Sequence, residues 1–219
     1  MAAPLTASEI AQELADYEVV VSENALGHLV TYQELLLRWN RRINLTALRT
    51  PRRIVRQLFG ESLYLTRVLV LRGRLLDVGT GAGFPGLALK MAVPSLDLTL
   101  IEANRRKCAF LKEVVRACGL AGVRVISKRF HEWVVHARGY VADVSTTRAV
   151  DVSQSFLELL AQVTAPDGRA VFYTTETLAR RIRSTARGWA WLERVHIPNT
   201  NAHSLLMARP RRTAIPSIR

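Results

Sequence analysis

At 219 residues, 49% hydrophobic and 22% charged, the chain suits one sizeable domain with ample material for a core. No apolar run reaches the roughly 18 residues needed to span a bilayer, the N-terminus lacks the basic and apolar regions of a signal peptide, and Cys108 and Cys118 match no metal or redox spacing. A membrane protein, a disulfide scaffold and a metal site are therefore not expected, a cytoplasmic location is, and the net charge of +13 asks for a polyanionic partner.

The first predicted helix opens at a capping box formed by Thr6 and Glu9 and runs to about Tyr17. Ser22 caps a second, to about Asn40, with Leu26, Leu29, Val30, Leu36 and Leu37 near helical spacing. Charge is segregated here. Residues 1–30 hold five acids and no Lys or Arg, whereas residues 38–57, "RWNRRINLTALRTPRRIVRQ", hold seven Arg and no acid. An arginine-rich codon bias would not sort charge in this way. Arg41, Arg42, Arg52 and Arg53 are the expected phosphate contacts for RNA. Trp39 could be a stacking platform, but packing is the favoured reading. Thr50 and Pro51 start a third helix, with Ile54, Val55, Leu58, Leu63 and Leu65 on its apolar side. Residues 1–72 thus read as a helical region.

From residue 73 to 210 the texture alternates. "RLLDVG", "DLTLIEA", "VRVISK", "ADVSTTR" and "GRAVFYTT" read as five strands with helical stretches between them, which predicts a parallel sheet covered on both faces. "WAWLERVHIP" and "NAHSLLMARP" have no helix between them and read as a hairpin at the sheet edge, so the last strand should be antiparallel. The expected fold is α/β and Rossmann-like, with seven strands. Residues 211–219 read as a disordered basic tail.

"LLDVGTGAGFPGLALK", residues 75–90, is a strand, a glycine turn and a helix. Gly81, Gly83 and Gly86 satisfy the dinucleotide fingerprint, with Glu102 at the distance of a ribose-binding acid. Gly79, Gly81 and Gly83, preceded by Asp77, equally satisfy the pattern of S-adenosylmethionine enzymes. Two features favour the methyl donor. The chain has no room for a second nucleotide-binding half, and a carboxylate before the first glycine suits a cationic sulfonium better than a pyrophosphate.

"RWNRRINLTAL", "FGESL", "LLDVGTGAGFPGLAL", "RRKCAFLKEVV" and "TTRAV" together resemble the bacterial 16S ribosomal RNA guanine-N7 methyltransferase family, RsmG or glucose-inhibited division protein B, over roughly residues 25–175. The resemblance implies S-adenosylmethionine as donor and guanosine 527 (RNA numbering) of small-subunit RNA as acceptor, free or within an assembling subunit. It places cofactor contacts on Gly79, Phe84, Phe130, His131 and Arg148. Three departures stand out. Leu58, Phe59, Gly60, Glu61 and Ser62 replace the usual His-Phe-x-Asp-Ser, Phe130 and His131 replace Ala-Glu, and strand five ends without a lysine.

Guanine N7 carries an in-plane lone pair and needs no deprotonation before it attacks a methyl group. Catalysis then reduces to alignment, with Arg148 the candidate catalytic residue that orients guanine or donor. A monomer suffices for this reading. A small-molecule methyltransferase and an RNA-binding protein without activity remain open alternatives on sequence alone.

Overall fold

The computed structural model describes residues 3–200 and 202–211. Helix α1, Ala7–Ala15, starts where Thr6 accepts a hydrogen bond from the Glu9 amide and the Glu9 carboxylate accepts one from Thr6 N at 2.8 Å. Helix α2, Glu23–Trp39, is capped by Ser22 and closed by Asn40. The third helix differs from the single amphipathic rod expected. It comprises α3, Pro51–Ile54, a π-helical turn, Val55–Gly60, and α4, Glu61–Leu63, followed by α5, Leu65–Val68. Tertiary partners hold the wider turn. The Gln57 carbonyl accepts from Arg148 at 2.9 Å, and Gly60 lies so close to the Tyr17 ring that a Cβ there would overlap it. Such turns open a helix at sites where a side chain intervenes.

The sheet follows with β1 Arg74–Val78, α6 Gly86–Ala92, β2 Asp97–Ile101, α7 Arg105–Ala117, β3 Val123–Ile126, α8 Phe130–His136 and β4 Ala142–Arg148. It is completed by α9 Gln154–Val163, β5 Thr164–Thr175, α10 Glu176–Thr185, β6 Trp189–His196 and β7 His203–Pro210. The order is β3-β2-β1-β4-β5-β7-β6, parallel through β5, with β7 antiparallel to both its neighbours. The hairpin does sit at the edge, but β7 lies inside it and β6 is the outer strand. Burial explains the choice. Leu205, Leu206, Met207 and Ala208 are all buried, as a strand covered on both faces requires, while β6 is mostly half-buried. β5 also starts before Gly168, because Thr164 pairs with Ala142 ahead of a register shift at Ala142/Val144.

Two buried clusters cover the two faces. One joins Ile10, Tyr32, Leu36 and Phe59 to Leu75, Leu98 and Phe110, so the N-terminal helices share a core with the sheet. The other packs Leu157, Leu160 and Ile182 on Leu76 and Phe172. Residues 212–219 of the expected tail lie outside the described residues.

Candidate active site and RNA-facing surface

β1 and β4 are neighbours whose chain connections leave in opposite directions, which marks the switch point where open sheets bind ligands. The glycine loop lies there. Gly81 has φ +58°, and a Cβ on it would meet nothing nearer than the Gly79 carbonyl at 3.9 Å, so it faces open space. Gly83, at φ +97°, faces inward, where a Cβ would crowd the Tyr32 hydroxyl, Leu87 and Leu111. One glycine serves approach from outside and the other close packing within.

Asp77 is placed differently from the ligand contact expected of it. It is wholly buried beneath the loop, accepting from Thr80 Oγ1 at 2.5 Å, Thr146 Oγ1 at 2.8 Å and the Gly86 amide at 3.0 Å. Its carboxylate shapes the loop. Burial pushes its carboxyl up to about 6, against the lowering effect of those hydrogen bonds and of the Arg148 charge. Between the ordinary carboxylate range and about pH 6 the folded protein therefore keeps a proton that the unfolded chain has released. The stability this proton confers is full in acid and lost as pH rises through about 6. Urea midpoints measured from about pH 4 to about pH 7 should show that loss in the native chain and not in Asp77→Asn. Parallel curves for the two proteins would contradict the buried carboxyl.

A cavity of about 440 Å³ runs past the strand ends, bordered by Gly79, Glu102, Phe130, His131, Asp151 and Phe156. A second, of about 240 Å³, is bordered by Thr46, Leu58, Gly81, Phe84, Lys107 and Arg148. Gly79 and Glu102 line both, so the two lie side by side. The Glu102 carboxylate accepts from the Gly81 amide at 3.0 Å and the Asn104 amide at 2.7 Å. Each oxygen keeps a further lone pair. The Phe130 ring lies 5.3 Å from Phe156 and 6.2 Å from Trp133, while His131 is exposed. Phe84 is buried and stacks on Tyr32 at 5.0 Å.

Arg148 ends β4, as expected, but its partners were not foreseen. Nη2 donates to the Gln57 carbonyl at 2.9 Å and to Glu61 at 2.8 Å, and Nη1 is buried without a hydrogen-bond partner. Glu61 is only 2% exposed and also meets His203 Nδ1, at 3.0 Å. An ionised carboxylate only accepts, so Nδ1 carries the proton in this contact. The cluster draws on α4, β4 and β7. Its one trace in the sequence was Glu61 standing where the family has an aspartate.

Of the arginines expected to face RNA, Arg41, Arg42 and Arg53 are exposed and have no acidic partner among the described residues. Arg52 instead pairs with the buried Glu13 at 2.7 Å, and Arg56 bonds both Glu13 and Asp16. Part of the segregated charge is therefore cancelled between α1 and α3. Trp39 packs, as favoured, with its Nε1 donating to Glu113 at 2.8 Å and its ring edge-on to Phe110. Asn40 is a residue the sequence reading passed over. Its amide donates to the Thr46 and Leu48 carbonyls and accepts from the Leu45 and Thr46 amides, which folds "NLTAL" into a wall of the smaller cavity.

This sheet order, with a glycine loop after its first strand and an acid after its second, defines a class I methyltransferase fold of the S-adenosylmethionine-dependent kind. A solved variant of MtNAS in complex with S-adenosylmethionine shares the fold, with a TM-score of 0.59 and 15% identity over 94% of this chain and 78% of that one. The chain belongs to the family GidB, rRNA small subunit methyltransferase G, which matches residues 25–206. Ribosomal RNA small subunit methyltransferase G of Wolinella succinogenes is 35% identical over 176 residues, 80% of this chain and 89% of its own length. That of Chloroflexus aggregans is 32% identical over 198 residues, 86% of this chain and 83% of its own.

Proposed function

We propose that the chain methylates N7 of a guanine in 16S ribosomal RNA, the base that the family resemblance puts at position 527, with S-adenosylmethionine as donor. One observation carries the choice of acceptor atom. At the smaller cavity Leu58 occupies the histidine position, and Glu102, the one carboxylate among the described residues lining it, is engaged by two backbone amides and by the role proposed for it toward the donor. Exocyclic amines need a proton removed, whereas N7 does not.

The residues present fit the donor. Glu102 would accept from the ribose hydroxyls, Phe130 would stack the adenine, and the open side of Gly81 admits the ligand against the backbone. When bound, the donor supplies a methyl carbon on a positively charged sulfur. The chain's own part is to hold guanine in line, with the Arg148 guanidinium at the cavity wall as the fixed donor to a purine edge or carboxylate. Every residue named comes from one chain, so a monomer suffices. The test is methylation of naked 16S RNA and of small subunits lacking the modification, followed by mass analysis of nucleosides. 7-Methylguanosine at one site supports the reading, and any other methylated nucleoside overturns it.

The RNA should be held through phosphates on the exposed arginines. Replacing Arg41, Arg42 and Arg53 with Gln should flatten the slope of log affinity against log salt by about 0.7 to 0.9 per lost contact. Arg52→Gln should change it less, because Glu13 already neutralises that guanidinium. An unchanged slope in the triple variant would make the cluster a solvated face.

A further inference from the structure

Beyond the two cavities above, a third of about 560 Å³ lies on the other side of the first turns of α7. We propose that it is a subsite for a second, unpaired nucleotide of the RNA that delivers the target guanine, an inference that rests on the RNA reading above. Its walls combine what a single-stranded nucleotide requires. Trp39, Ile43 and Ala109 give an apolar surface on which a base can lie. Arg42 and Arg106 stand at the same cavity, both exposed and without an acidic partner among the described residues. Guanidinium groups bind phosphate as planar forks.

The acid in this cavity is fixed. Glu113 is held by Trp39 Nε1 at 2.8 Å and by Arg38. Its carboxylate keeps lone pairs that can accept from the exocyclic amino group of a base. The fixed carboxylate favours a donor edge of the base, an amino or ring N–H group, over a carbonyl.

Position ties this subsite to the reaction. Arg106 borders the third cavity, while the next residue, Lys107, borders the smaller cavity of the active site. In the same way Ile43 borders one, and Leu45 and Thr46 the other. The two cavities thus flank one seam, where the turn after α2 meets the start of α7. An RNA strand that puts its target base in the first carries a neighbouring nucleotide past the second.

The experiment uses the full chain with undermethylated small subunits or 16S RNA as substrate. Ala109→Phe fills the cavity from an exposed helical position without adding charge, and Arg106→Gln removes one fork. Both should raise KM for RNA about tenfold, with donor affinity by calorimetry equal to native. Arg106→Gln should also lower the salt slope, by about 0.7 to 0.9. Native KM in both variants overturns the subsite. If Ala109→Phe melts early, Arg106→Gln decides alone, since its side chain has no acidic partner to lose among the described residues. Failure of the native protein to methylate RNA would instead sink the functional reading itself.

Discussion

Gly81→Val should abolish binding of S-adenosylmethionine while the protein stays folded. At φ +58° a β-branched residue sits in a backbone region that costs on the order of 1 to 3 kcal/mol. The side chain meets no core atom, since the nearest neighbour of a Cβ there is a carbonyl 3.9 Å away. Its bulk projects into the open space proposed for the ligand. The Gly81 amide also donates to Glu102, so a loop that relaxes to relieve the strain would move the ribose acid as well. Calorimetry should register heat with the native chain and none with the variant, and Gly81→Ala should fall between. Equal affinity in all three would remove the glycine loop from the donor site.

Arg148→Ala should fail on two counts, stability and turnover. Arg148 is ion-paired with a buried carboxylate, that of Glu61. Removing one member of such a pair strands the other charge and costs about 3 to 5 kcal/mol. The double variant Arg148→Met, Glu61→Gln removes both charges and should recover most of that loss, because Gln can still accept from His203. In this repaired background methylation should remain at least about tenfold down, equivalent to about 1.4 kcal/mol of barrier. Native turnover in the double variant would make Arg148 a structural residue alone.

The parallel strands, the glycine loop and the antiparallel end were legible because each leaves a local signature: short apolar runs alternating with helical stretches, small residues between strand and helix, two strands with nothing between them. What was hidden depends on distant partners. Gln57, Glu61, Arg148 and His203 form one cluster in which Glu61 and His203 bond across 142 positions, and no window of sequence contains it. The π-helical turn escaped because local spacing around Leu58 is compatible with an ordinary helix, and the carbonyl that breaks the pattern answers to a guanidinium on β4. The pairing of Arg52 with Glu13 escaped for the same reason. Charge segregation along a chain says nothing of which helices will face each other.

Tyr32 links the glycine loop to the surface proposed to face RNA. It lies midway along α2, its hydroxyl donates to the Ala82 carbonyl within the glycine loop, and its ring stacks on Phe84. The same helix ends at Trp39, close in sequence to Arg41 and Arg42, which have no acidic partner among the described residues. A movement of α2 under RNA would therefore displace the loop proposed to seat the donor. Thermodynamic reciprocity then applies: if RNA changes donor affinity by some factor, the donor changes RNA affinity by that same factor. The spent cofactor lacks the methyl group and the positive charge, so it would meet the loop with a different charge. If RNA and donor bind as proposed, the release of methylated RNA would depend, through α2, on which of the two cofactor forms the loop holds.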